Sequence, residues 1–208
     1  MKKGIFCLEG LWDDDLRRRS TVKPILELLE LNSDIPFLHF DCATKEEFDF
    51  YISKWKKHDY NNYPILYLAF HGLQNSVLID DLPYTLDEMS SILERKCRHR
   101  VIVFASCSTI KTDRRNLKKF LKKTRALAIC GYRKIVPWIQ ATAFELMLLA
   151  AMQENSLDGR GIEAIERRVN KIAKMFKDLD FLMITNKAVS YTHLRAHETV
   201  LDLVCRLL

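Results

Sequence analysis

Glycine and proline are scarce in this chain, with 6 Gly and 5 Pro in 208 residues. That composition excludes a collagen-like repeat and a low-complexity linker. No apolar run approaches the roughly 20 residues that cross a bilayer, so no membrane partner is expected. The start, MKKGIFCLEG, carries two lysines, but its apolar stretch is short and broken by Glu9, and no small-residue cleavage site follows. It is not a secretory signal, and a cytoplasmic protein is expected. Before residue 188 there is no C-x-x-C, H-x-x-x-H or H-E-x-x-H spacing, so no metal site is expected. There is no glycine-rich phosphate loop either, which argues against a nucleotide cofactor, and none of any kind is expected.

What is present points to one globular unit. Hydrophobic residues make up 48% and charged residues 29% of the chain, enough for one sizeable core but short of two. Six cysteines without a signal peptide read as reduced thiols rather than a disulfide framework. A net charge of +6 permits an anionic partner without requiring one. The C-terminal stretch AVSYTHLRAHETVLDLVCRLL, Ala188 to Leu208, resembles the conceptual translation of a sequencing adapter and its flow-cell primer. On that resemblance the native part is one α/β domain over residues 1–187, and 188–208 is a non-native tail whose removal leaves the charge at +6.

The native part alternates strand and helix signals. Strands are expected at Gly4–Gly10, Pro36–Phe40, Pro64–Phe70, Val101–Ala105, Ala126–Cys130 and Phe181–Thr185, with a short one at Ser76–Ile79. Helices are expected over Ser20–Leu31, with Pro24 in the first turn, and after two capping boxes, Thr44/Glu47 and Thr85/Glu88. Further helices are expected at Arg114–Lys123, Trp138–Gln153 and Gly161–Lys177. This alternation implies a three-layer α/β/α sandwich around a mostly parallel sheet.

Sites in such sheets form beyond the carboxyl ends of the strands. The residues there are Glu9, Asp41, His71-Gly72, Ser106-Cys107-Ser108 and Gly131-Tyr132. If the third and fourth long strands are neighbours, His71 and Cys107 open onto one crevice, the minimum for thiolate nucleophilic catalysis. The backbone amides of Gly72 and Cys107 are candidates for an oxyanion hole. Asp41 is a weaker candidate to orient His71, since an end-of-strand acid more often caps a turn. Taken singly, a buried Cys is usually a small hydrophobe and a lone His is usually satisfied locally.

YLAFHG (Tyr67–Gly72) and VFASCST (Val103–Thr109) resemble the paired His-Gly and Cys motifs of caspase-like (clan CD) cysteine peptidases, closest to the CHAT-like branch. AICGYRKIVPW followed by an apolar helix is similar to the same branch. FCLEGLWDDDLR, Phe6 to Arg17, resembles the start of an uncharacterised bacterial family of caspase-like fold. The resemblance implies a caspase-like fold and a His71/Cys107 dyad. It also implies that the end of the first strand lines the substrate pocket, which assigns Glu9 and Trp12 to that pocket, and Tyr132, at the end of the fifth strand, is a further candidate for it. An acid there would favour a basic substrate side chain, unless Glu9 is paired with Arg133 or one of Arg17–Arg19. CHAT-like proteins often carry an acid in the loop after the fifth strand. Arg133 and Lys134 stand there instead.

Three function classes follow. The first is a cysteine endopeptidase acting on a protein or peptide substrate. The second is an inactive caspase-like scaffold that binds protein partners. The third is a basic α/β domain binding nucleic acid through Lys111–Arg125, where eight basic residues face one acid. That segment has no aromatic platform beyond Phe120, which fits an apolar stripe with Leu117 and Leu121, so a solvated helix face is the expectation.

Overall fold

The structure is a computed structural model that describes residues 2–18 and 20–186. The adapter-like stretch from Ala188 onward lies outside the described residues. Short apolar runs become the strands. They are β1 (Ile5–Glu9), β2 (Phe37–Asp41), β3 (Ile65–Ala69), β4 (Gly72–Leu73), β5 (Ser76–Ile79), β6 (Leu82–Thr85), β7 (Val101–Ala105), β8 (Ala128–Tyr132) and β9 (Phe181–Thr185). Between them run α1 (Lys23–Ser33), α2 (Lys45–Trp55), α3 (Leu86–Ile92), α4 (Arg114–Thr124), α5 (Trp138–Ala151) and α6 (Gly159–Ala173), with 3-10 turns at His58–Tyr60 and Lys174–Leu179.

Six strands form one sheet in the order β2-β1-β3-β7-β8-β9, parallel except for β9. Every residue of β1, β3, β7 and β8 is buried, as a parallel strand between two helix layers requires. Side chains alternate across the sheet. Cys7, Tyr67, Ala69, Val103 and Ala105 pack toward α1, α5 and α6. Phe6, Leu8, Leu68, Ile102 and Phe104 pack toward α2, α3 and α4. The three-layer α/β/α sandwich with a mostly parallel sheet therefore stands as expected from the sequence.

Helix starts follow local chemistry. Both capping boxes form, with Thr44 and Thr85 each accepting from the backbone three residues on, and Glu47 and Glu88 reaching back. The basic helix α4 buries Leu117, Phe120 and Leu121 and leaves Lys118, Lys119, Lys122 and Lys123 on its open side. No helix among the described residues is long and apolar enough to cross a membrane.

The second sheet is a small antiparallel one, β4-β5-β6, and the sequence signalled only its middle strand. β4 is two residues long, β6 contains Pro83, and the β5–β6 turn is built from Asp80 and Asp81 rather than glycine. Both aspartates take positive φ, 52° and 55°, as a tight two-residue hairpin demands. Asp tolerates that region better than most residues, but Asp-Asp is a weak turn signal.

The α5 side of the core gives a direct stability test. Phe144 is fully buried and meets the rings of Tyr132, Phe176 and Phe181. Phe144→Ala is expected to lower the unfolding free energy by about 3–5 kcal/mol, read from the midpoint of urea unfolding.

Candidate active site

The parallel pairing of β3 with β7 places Ala69 opposite Ala105. Two residues beyond each, just past the paired strands, stand His71 and Cys107. Both line one cavity of about 160 Å³, open to solvent, at the carboxyl edge of the sheet. The cavity walls include Trp12, Tyr132, Trp138 and Glu145.

The small sheet locks this edge. Leu78 N–H donates to the His71 carbonyl at 2.8 Å, and Thr109 Oγ1 donates to the Ser76 carbonyl at 3.0 Å. Thr109 Oγ1 also shares a 2.7 Å hydrogen bond with Ser106 Oγ, which ties the turn carrying Cys107. Ser108 N–H donates to the Lys134 carbonyl at 3.1 Å, with Ser108 at φ 58°. Gly72 is required by the close approach of these loops. A Cβ there would lie 2.3 Å from the Cys107 carbonyl oxygen and 2.5 Å from Thr109 Oγ1.

His71 is oriented by the backbone. Its Nε2–H donates to the Trp12 carbonyl at 3.1 Å, and its ring meets the Trp12 indole edge-on at 5.2 Å. That bond puts the proton of the neutral ring on Nε2 and leaves Nδ1 as the free basic nitrogen. Asp41 does not orient His71. It lies exposed on edge strand β2, with β1 between it and β3.

Cys107 differs from the other described cysteines. Cys7, Cys42, Cys97 and Cys130 are buried, whereas Cys107 is half-exposed. Burial pushes the Cys42 and Cys97 thiols up to about 12, and Cys7 and Cys130 are also raised, mainly by burial. Those four are held as thiols.

Glu9 stands elsewhere than the sequence reading placed it. It is not among the residues lining the cavity, and among the described residues it pairs with none of Arg17, Arg18 and Arg133. Its buried carboxylate accepts from Trp12 Nε1 at 2.5 Å, Thr21 Oγ1 at 2.7 Å, Val22 N–H at 2.8 Å and His39 Nε2 at 2.6 Å. Burial alone would raise its pKa, but these four bonds outweigh that and hold it below the usual carboxylate value. Glu9 thus caps the start of α1 and fixes the Trp12 ring. Arg133 pairs with Asp180 instead, and Arg17 and Arg18 pair with Asp15 and Asp13. Glu9, His39 and Asp41 have ligand atoms within 4.8 Å of one another, the one such group among the described residues. A cation there would have to displace donors that already satisfy Glu9.

The acid that does line the cavity is Glu145, which the sequence reading passed over. It is the one charged residue in α5 (WIQATAFELMLLAA) and is 4% exposed. Tyr67 OH donates to its Oε2 at 2.5 Å and Tyr132 OH to its Oε1 at 2.8 Å. A lone acid inside an apolar helix was the available signal, since such residues are almost never buried without a partner. Tyr132 is in the cavity wall, with its hydroxyl committed to Glu145.

Burial raises the Glu145 carboxyl to about 7, although both tyrosine bonds pull the other way. A folded-state pKa above the unfolded value means that the native state holds a proton the unfolded chain releases. The resulting stabilisation is complete below about pH 4.5 and is lost as pH rises toward 7. The stability difference between wild type and Glu145→Gln is expected to shift against wild type between pH 4.5 and 7 and then level off. Denaturant midpoints across that range check it.

A search of curated proteins finds no match. Among solved structures, the crystal structure of caspase-1 from Spodoptera frugiperda superposes with a TM-score of 0.57 at 14% identity, covering 88% of this chain and 86% of that one. The likeness is one of fold. The model of a family of unknown function, DUF6642, matches residues 2–184, and the chain belongs to that family.

Proposed function

We propose that this protein is a caspase-like cysteine endopeptidase, with Cys107 as nucleophile and His71 as base, acting on a protein or peptide substrate. The observation that carries the reading is the register of β3 against β7. It presents His71 and the one described thiol that is not buried to the same open cavity. The caspase fold supports a protein substrate by analogy only.

In the proposed reaction His71 Nδ1 takes the Cys107 proton as Sγ attacks the scissile carbonyl. The Trp12 carbonyl, accepting from Nε2–H, stabilises the resulting imidazolium. The negative charge moves to the former carbonyl oxygen, which faces the amides of Gly72 and Cys107. The tetrahedral intermediate then collapses, the C–N bond breaks, and His71 delivers its proton to the departing amine. A thioester remains. Water, losing a proton to His71, attacks it, and the acid product leaves as the proton returns to the thiolate.

Site-directed labelling tests the dyad. A peptidyl electrophile is expected to modify Cys107 at least about 100-fold faster than any other thiol, with His71→Ala removing most of that advantage. Cleavage of a peptide library is expected from wild type and not from Cys107→Ala. If Cys107 reacts no faster than Cys130, the protein is a caspase-like scaffold rather than an enzyme.

A further inference from the structure

The cavity beside Cys107 holds a carboxylate that the proposed reaction does not use. Glu145 reaches it from α5, in the layer of helices beneath the dyad. Each of its oxygens accepts one tyrosine hydroxyl, and a carboxylate offers about four lone-pair sites, so acceptor capacity remains. Tyr67 is fully buried on β3 and Tyr132 on β8, so the two hydroxyls hold the carboxylate from neighbouring parts of the sheet.

The rest of the wall suits the stem of a long cation. Trp12 and Trp138 meet edge-on at 4.7 Å, and Val136 and Ala141 add apolar surface. Among the described residues lining the cavity there is no lysine or arginine, and His71 is the one basic group. An apolar, aromatic cavity with one carboxylate in its wall matches a lysine or arginine side chain, whose methylenes lie along apolar surface and whose head pairs with the acid.

We infer that this cavity is a recognition site for a basic side chain, lysine or arginine, at the substrate residue whose carbonyl Cys107 attacks, with Glu145 as its counter-ion. The inference rests on the peptidase reading for the words substrate and carbonyl, but cation binding to the cavity does not. Glu145 then takes the part that the sequence assigned to Glu9. Tyr67 and Tyr132 are positioning residues, and the Glu9–Trp12 bond fixes the indole that packs edge-on against Trp138.

The test needs no turnover. Butylguanidinium and butylurea have nearly the same shape and differ in charge. Each is titrated against the rate at which iodoacetamide alkylates Cys107, relative to the unliganded rate of the same protein. Wild type is expected to bind butylguanidinium about tenfold or more tightly than butylurea. Glu145→Gln is expected to abolish that preference, and Glu145→Asp, which keeps the charge, to retain it in weakened form. Equal protection by the two ligands in wild type overturns the inference, as does a charge preference that survives in a folded Glu145→Gln. Protein with a charge preference but no His71-dependent reactivity at Cys107 would retain the cation site and lose the peptidase reading. A library that wild type cleaves after uncharged residues in preference to Lys and Arg would keep the peptidase and remove this specificity.

Discussion

The pairing of β3 with β7 is the constraint on which the rest of the site depends. Parallel strands in register end in step, so Ala69 opposite Ala105 brings residues 71 and 107 to one cavity at the carboxyl edge of the sheet. The antiparallel β4-β5-β6 sheet then holds the two loops that leave those strands, one through the His71 carbonyl and one through Thr109.

Two buried carboxylates organise the same corner in opposite ways. Glu9 is saturated by four donors and keeps a lowered pKa, so it acts as a fixed structural anion under Trp12 and at the start of α1. Glu145 has two donors, both tyrosines, and burial outweighs them. The difference lies in how many hydrogen bonds offset desolvation. It separates an acid that builds the wall from an acid that faces the cavity.

Much of the fold was legible because local signals agreed with tertiary demands. The runs IFCLE, ILYLA and VIVFA are short, apolar and bounded by turn residues, as buried central strands are, and FLMIT forms a strand as read. The capping boxes marked the starts of α2 and α3. β8 is displaced by two residues from ALAIC, because its register follows the partner strand rather than the local apolar run. β4 and β6 escaped because a two-residue strand and a Pro-containing strand carry almost no periodicity.

Sequence alone determined the layered α/β architecture and the pair of strand ends where His71 and Cys107 stand, since hydrophobic runs and their spacing encode those directly. Tertiary structure decided what each acid does. Glu9 follows a strand and Glu145 sits in an apolar helix, but neither position tells how many donors converge on a carboxylate. Those donors come from Thr21, Val22, His39, Tyr67 and Tyr132, up to 78 residues away along the chain. Hydrogen-bond saturation is a property of the assembled neighbourhood, so linear order alone could not assign it.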